Sequence, residues 1–215
     1  MVEPIEPEES AAEPAKVEAK PAQQPALGRC SPKDVSAFEP RWTPPAKFRH
    51  VCTEEQILAL TPCATFKASK KECARFLDGP EADVTCAECV ITADIDPAWG
   101  PLVYPFPAAD RYFVNEAGCI ARLDPSQEEC AKDRQAALDC IGAACLETCY
   151  GDPKASKEEK TACTEAAMLG GCKPYVERSI SCRIAIEEAQ SRATACFVDL
   201  NDDGLRAIVR LFCGK

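Results

Sequence analysis

Apolar positions along this chain recur with helical rather than strand period, and the runs are bounded by recognisable start and stop signals. Thr53-x-x-Gln56 forms a capping-box pattern ahead of "EEQILAL", and Pro62 is placed to stop, kink or restart that helix. Ser69-x-x-Glu72 opens "KKECARFL", which runs into Asp78-Gly79-Pro80. "EADVTCAECVI" reads as a short helix. Asn115 is a candidate N-cap for "EAGCIARL", and Asp124-Pro125 sets a cap before a proline at the first helical position. The pattern predicts a long helix from 125 to about 149, ended by Gly151-Asp152-Pro153. Ser156-x-x-Glu159 opens a further helix that Gly170-Gly171 closes. Pro174 begins another, predicted to reach about residue 197, and Asp202 or Asp203 caps a last one ending near Cys213. No segment of useful length carries the two-residue period of a strand. Residues 96–114, "DPAWGPLVYPFPAADRYFV", interrupt the helical pattern and predict an irregular crossing loop, with a short extended piece at 111–114.

Composition separates the first residues from the rest. Residues 1–28, "MVEPIEPEESAAEPAKVEAKPAQQPALG", hold almost no core-forming side chains and cannot offset the entropy of ordering. Nine of the 18 prolines lie before residue 46. This segment is expected to be a disordered, acidic, Pro-rich tail, serving either as a spacer from a membrane after a lipidated N-terminus or as an inert tail. Cys30 lies beyond it, which implies that residues 30–45 wrap onto the folded part. Aromatic residues are only 7% of the chain, while alanine is abundant and asparagine occurs only at 115 and 201, a bias towards helix.

The 16 cysteines set the compartment. An even number spread along the chain points to an oxidised, extracytoplasmic protein: secreted, periplasmic or cell-surface. No secretory apolar region is present, since Met1 leads into "VEPIEPEES"; if the cysteines are oxidised, the expectation is that a signal region, with any lipid-anchored tether, has been removed, and the alternative is a cytosolic protein with reduced thiols. No apolar run approaches the ~18 residues of a transmembrane helix. A net charge of −10 argues against nucleic acid as a partner and disfavours adhesion to anionic lipid.

Helical geometry then bears on what the thiols do. At about 100° per residue, Cys145 and Cys149 share a face, whereas Cys140 and Cys149 point in opposite directions. One helix can reach several neighbours through disulfides in this way, but cannot form a single mononuclear site. All 16 cysteines are therefore expected to be structural: Cys30, Cys52, Cys63, Cys73, Cys86, Cys89, Cys119, Cys130, Cys140, Cys145, Cys149, Cys163, Cys172, Cys182, Cys196 and Cys213. Nine lie after residue 125, an odd number, so full intramolecular oxidation requires a bridge across that point and a single disulfide-linked domain over 29–215. Connectivity stays open among roughly two million pairings. The constant-sum rule for antiparallel hairpins offers Cys145 with Cys163, or Cys163 with Cys182.

Other chemistries find little purchase. Cys86-Ala87-Glu88-Cys89 is a single C-x2-C knuckle without a second, and no βαβ pattern surrounds it. An exported helical copper store would carry thiols at three- or four-residue spacing, which only Cys145 and Cys149 show clearly. "DLNDDG", residues 199–204, matches half a calcium loop, but Arg206 and Arg210 occupy positions eight and twelve, where Arg210 replaces the bidentate glutamate; a capped turn is expected. His50 is the only histidine and has no nucleophile motif beside it. No metal, cofactor or catalytic residue is assigned. Trp99, Tyr104, Phe106, Tyr112 and Phe113 could form an aromatic contact surface; the alternative is that they plug the bundle where a helix is missing.

Two resemblances follow from these motifs. Cys63 to Cys73, Cys130 to Cys140 and Cys172 to Cys182 are each C-x9-C, the interval used by helical disulfide hairpins built on twin C-x9-C pairs; the likeness is one of spacing, since that family uses two such motifs in a short hairpin and this chain has three dispersed ones. The acidic leader followed by "VCTEEQI", "CAEC", "WGPL", "GCIARLDP" and "LFCGK" resembles a loose set of uncharacterised cysteine-rich helical proteins secreted by bacteria, over about residues 50–215. That resemblance implies export and an oxidised helical fold, and no activity. The expectation is an all-α, irregular, disulfide-stapled bundle with a non-enzymatic binding or structural role and an unknown protein or envelope partner. The alternatives are an exported thiol-rich protein binding copper or zinc and, lower, an extracytoplasmic hydrolase with an unrecognised site.

Overall fold

Helices start where local capping chemistry says they should. In the computed structural model, which describes residues 30–47, 50–105, 112–197 and 201–215, α1 (Glu54–Ala64) opens on a capping box between Thr53 and Gln56 and carries Pro62 in its last turn. Ser69 and Glu72 form a second box at α2 (Lys70–Cys73), which continues through Ala74 into α3 (Arg75–Asp78). Next come α4 (Glu81–Val90) and α5 (Glu116–Leu123), whose N-cap Asn115 accepts from the Gly118 amide. Asp124 caps a 3-10 turn at Pro125–Gln127 that leads into α6 (Glu128–Cys145). A third capping box, Ser156 with Glu159, opens α7 (Lys157–Leu169); α8 (Lys173–Glu188) and α9 (Asp202–Cys213) complete the helices. The expected tail over 1–28 and Phe106 lie outside the described residues.

Four boundaries differ from the sequence pattern, each for a physical reason. The long helix expected to reach residue 149 stops being α-helical at Cys145 and continues as a π turn, Leu146–Tyr150, closed by the Gly151 amide on the Leu146 carbonyl at 2.7 Å. The altered rotation lets Cys145 and Cys149 face different neighbours. The helix from Pro174 ends at Glu188, not near 197: Gln190 adopts φ 48°, its amide bonds to Glu187 and that of Ser191 to Ile186. That is a Schellman stop built on glutamine where glycine is usual, so no stop signal is legible; a 3-10 turn, Arg192–Cys196, follows. The cap of α9 is Asn201, which accepts from the Gly204 amide, while Asp202 and Asp203 lie in the first turn and favour the helix dipole from there. Finally, a small sheet is present. β1 (Ile91–Ala93) pairs parallel with β2 (Leu102–Tyr104), and β2 antiparallel with β3 (Phe113–Val114). Strands of two or three residues are too short to show a period.

Two buried clusters result. The first gathers one face of each of several elements: Ile57 and Leu60 from α1, Phe76 from α3, Val90 from α4, Ile120 from α5, and Leu205, Ile208, Val209 and Phe212 from α9. The α9 residues recur at i, i+3, i+4 and i+7, the apolar stripe of an amphipathic helix. A buried carboxylate, Asp83, is held among them by Arg75 through Nε at 2.8 Å and by the Gln56 side-chain amide at 2.8 Å, which keeps its pKa below the ordinary value. The second cluster consists of Cys30, Cys140, Ala144, Cys145, Cys149, Ala155, Cys163, Ala167 and Cys172. Its fully buried members are all cysteine or alanine.

Seven disulfides are formed: Cys52–Cys86, Cys63–Cys73, Cys89–Cys213, Cys119–Cys196, Cys130–Cys182, Cys140–Cys172 and Cys145–Cys163. Two of them, Cys89–Cys213 and Cys119–Cys196, cross residue 125. Of the two hairpin candidates, Cys145–Cys163 is present; Cys163–Cys182 is not, because Cys182 joins Cys130. The C-x9-C spacings resolve into two kinds. Cys63–Cys73 closes on itself, whereas Cys130–Cys182 and Cys140–Cys172 are two rungs between antiparallel α6 and α8. The two rungs share one sum of residue numbers, and ten residues rise about 15 Å along either helix, so both lie level across the pair. Cys30 and Cys149 are unbridged and buried, so the expectation that every cysteine is half of a disulfide differs from the structure at these two positions.

Candidate functional site

The site grows out of the strap formed by residues 30–47. Gln135 on α6 is buried, and its side-chain amide donates to the Arg41 carbonyl at 2.8 Å and accepts from the Thr43 amide at 3.4 Å. Further along, the Trp99 amide donates to the Pro44 carbonyl at 2.9 Å and the Ala46 amide to the Trp99 carbonyl at 2.7 Å, so the strap pairs with the crossing loop. Asn115 fixes that loop from the other side. Its Nδ2 donates to the carbonyls of Trp99 and Gly100 at 3.2 and 3.0 Å while its Oδ1 caps α5. Gly100 must lack a side chain here, since a Cβ would lie 2.6 Å from the Cys89 carbonyl oxygen.

The strap, the described residues of the crossing loop and the helices border a half-open cavity of about 650 Å³. Arg41 and Thr43 line it from the strap; Asp94, Trp99, Pro105, Tyr112 and Phe113 line it from the loop and β3. From α6 come Arg134, Leu138 and Ile141, one face at i, i+4 and i+7, with Asp139 and Gly142 beside them. The π turn supplies Leu146 and Tyr150, and α7 supplies Thr164 and Met168. Most of this surface is apolar. A Cβ at Gly142 would meet nothing within 4 Å, so the glycine leaves open space at the cavity floor.

A few polar groups converge on it. Burial pushes the Asp139 carboxyl up to about 6, and neighbouring Asp94 adds to the rise; a hydrogen bond from the Gln135 amide at 3.3 Å opposes it. Arg134 is held by Glu116, through Nε at 2.8 Å and Nη2 at 2.6 Å, and its Nη1 reaches the Ser179 hydroxyl at 3.4 Å. The hydroxyls of Tyr150 and Thr164 pair at 3.0 Å. Among the described lining residues there is no serine, cysteine or histidine. A shallower groove runs along the Cys130–Cys182 bridge, lined by the Arg178–Asp133 ion pair, Pro174, Glu177 and Ser181.

The residues singled out from sequence distribute unevenly over this arrangement. Trp99, Tyr112 and Phe113 line the cavity; Trp99 is only 4% exposed, packs edge-on against Phe113 at 5.4 Å and donates from Nε1 to the Asp94 carbonyl. Tyr104 turns away to donate to the Ala64 carbonyl at 2.6 Å, and its ring packs against Phe66 and Tyr112. His50 uses Nδ1 to donate to the Gly214 carbonyl, 2.6 Å away. Cys86 and Cys89 bond to separate partners rather than to each other. In "DLNDDG" the Asn201 side chain caps α9, Asp202 pairs with Lys67 and Asp203 with Arg206; positions 199 and 200 lie outside the described residues. Among the described residues no group of three or more His, Cys, Asp or Glu is arranged to hold a metal ion. Asp139 and Gly142 are two of the site residues that pattern reading missed. Their signal was present: an acid and a glycine interrupt the apolar run "AALDCIGAAC" inside a helix, where glycine costs about 1 kcal/mol relative to alanine.

No family model matches the chain, and no curated protein or solved structure is found to be similar to it.

Proposed function

We propose that this is an extracytoplasmic, non-enzymatic binding protein for a small, mainly apolar ligand that carries one hydrogen-bond donor. The cavity of about 650 Å³ carries this reading. Its volume falls within the range of small-molecule pockets, and its make-up follows their usual pattern of apolar and aromatic walls with a few converging polar groups. Trp99, Tyr112 and Phe113 would contact the ligand body. Asp139, raised by burial, would accept from its donor group. Seven disulfides support an oxidising compartment, and no described helix is long and apolar enough to cross a membrane. A thiol-rich metal store is the weaker reading, because fourteen of the 16 cysteine sulfurs are engaged in those bridges.

The test is titration with N-phenyl-1-naphthylamine, a neutral apolar fluorophore with one N–H donor. Saturable binding of one dye per chain is expected, abolished in Gly142→Phe, whose ring fills the open floor of the cavity. Non-saturable fluorescence, or equal binding by Gly142→Phe with an unchanged melting profile, would remove the cavity as the binding site.

A further inference from the structure

The two cysteines outside the seven bridges are not scattered. Cys30 is 1% exposed, Cys149 is 0% exposed, and both belong to the same sulfur and alanine cluster. They are close enough for the Cys149 thiol to help raise the Cys30 thiol's pKa. Backbone geometry holds them there. Three residues beyond Cys30, the Lys33 amide donates to the Ala144 carbonyl at 2.8 Å, and the Lys33 ammonium pairs with Glu147 in the π turn that carries Cys149. Val35 packs so closely over Gly171 that a Cβ there would stand 2.5 Å from its Cγ2. Phe38 meets Tyr175 edge-on at 5.3 Å, and its carbonyl accepts from the Tyr175 hydroxyl. Every other cysteine already has a partner, so each of these two has only the other left within the chain.

We infer that Cys30 and Cys149 are a covalent modification site: a buried dithiol that low-molecular-weight or protein disulfides oxidise to an eighth bridge, locking the strap to the π turn. The reaction is two thiol–disulfide exchanges. One thiolate attacks the external disulfide R–S–S–R, forming a mixed disulfide and releasing one RSH after protonation. The second thiolate then attacks the protein sulfur of that mixed disulfide, forming Cys30–Cys149 and releasing the other RSH. Two electrons pass to the reagent, whose S–S bond breaks as the new one forms, and the two thiol protons leave on the released thiols. In the closed strap this chemistry is slow. Burial and the neighbouring Cys149 thiol push the Cys30 thiol up to about 11, and neither sulfur is open to solvent. Reaction therefore passes through a transient lifting of residues 30–38, and the finished bridge is shielded when the strap closes again. The inference is independent of what the cavity binds, although strap residues Arg41 and Thr43 and π-turn residues Leu146 and Tyr150 border it.

The test treats the full chain with oxidised glutathione in native buffer, then quenches, denatures, alkylates and measures intact mass. The expected wild-type product has lost two hydrogens and takes up no alkylating reagent, with peptide mapping joining Cys30 to Cys149; recovery of that bridge before any treatment gives the same support. Cys30→Ser and Cys149→Ser each retain one thiol and are expected to stop as the glutathione adduct, since no second thiol resolves it. Gly171→Leu, which displaces Val35 and loosens the strap, is expected to close the bridge several-fold faster. Two wild-type thiols that stay alkylatable over a period in which Gly171→Leu or a serine variant reacts would overturn the proposal, as would a map joining either cysteine to any other.

Discussion

Around α1, α4, α5 and α9 the buried side chains include branched and aromatic hydrocarbons such as Ile57, Leu60, Ile120, Ile208 and Phe212, packed around the Cys52–Cys86, Cys89–Cys213 and Cys119–Cys196 bridges. Between the end of α6, α7 and the strap they are cysteines and alanines alone. The first region is stabilised by removing large apolar side chains from water, each contributing about 1.5–3 kcal/mol on burial. The second has none fully buried; Val35, Phe38, Ile141, Tyr150, Tyr175 and Val176 pack against it half-buried. Its compactness rests on Cys140–Cys172 and Cys145–Cys163, which restrict the unfolded chain and allow alanine-faced helices to approach closely. Two ways of building a core thus sit along one helix, since α6 contributes Cys130 and Ala131 to the first cluster and Cys140 and Ala144 to the second. The cavity borders the second region through Ile141 and Tyr150, and Gly142 leaves open space beside them.

This comparison can be broken at several points. Phe212→Ala should have the largest effect, about 3–5 kcal/mol, because a fully buried ring leaves a void the helices cannot close. Hydrogen exchange should show protection lost across α1, α4 and α9 first. Replacing Cys140 and Cys172 together by alanine should cost about 3–4 kcal/mol from the loop they close. The loss should be confined to residues 146–171 and the neighbouring part of α8. Equal loss of amide protection around α9 in that variant would mean that the two cores are a single cooperative unit.

The cavity carboxylate gives a smaller, pH-dependent effect. Asp139 has its folded pKa raised to about 6, so the folded state holds that proton more tightly than the unfolded chain. Stability from this group is greatest in acid, falls as pH rises from the unfolded value towards 6, and stays low above it. Asp139→Asn should therefore be more stable than the wild type at neutral pH by about 1 kcal/mol, after allowance for partial exposure. The difference should vanish below the ordinary aspartate range; thermal melts of both proteins across pH check it. Gly142→Ala should give the smallest shift, a gain of about 0.5–1 kcal/mol from helix propensity with no clash to offset it. A loss of stability there would mean that the floor of the cavity is filled.

Much of the local structure is legible in the sequence. Capping boxes at Thr53, Ser69 and Ser156, the Asn115 cap and the Asp124-Pro125 start act within a few residues of themselves, so the sequence alone locates them. Where the stop was unusual, as with Gln190 in the left-handed region, the same reasoning ran on too far. The candidate site was half legible. The sequence singles out the aromatic residues between 99 and 113 as a contact surface or a plug, but not that Trp99, Tyr112 and Phe113 line a cavity against α6 and the strap, nor that Asp139 and Gly142 meet them there.

Residue order determined that the chain is helical, that it carries enough cysteines to be stapled, and that an odd count beyond residue 125 needs bridges across it. Those properties depend on side-chain type and on contacts a turn or so apart. Tertiary structure alone decided which cysteine meets which, that two of the three C-x9-C intervals become rungs and one closes on itself, and that Cys30 comes to rest against Cys149. It also decided that Trp99, Tyr112 and Phe113 stand opposite α6 across a cavity. Each of these depends on the relative placement of elements far apart in the chain, and helical period and capping carry no information about that placement.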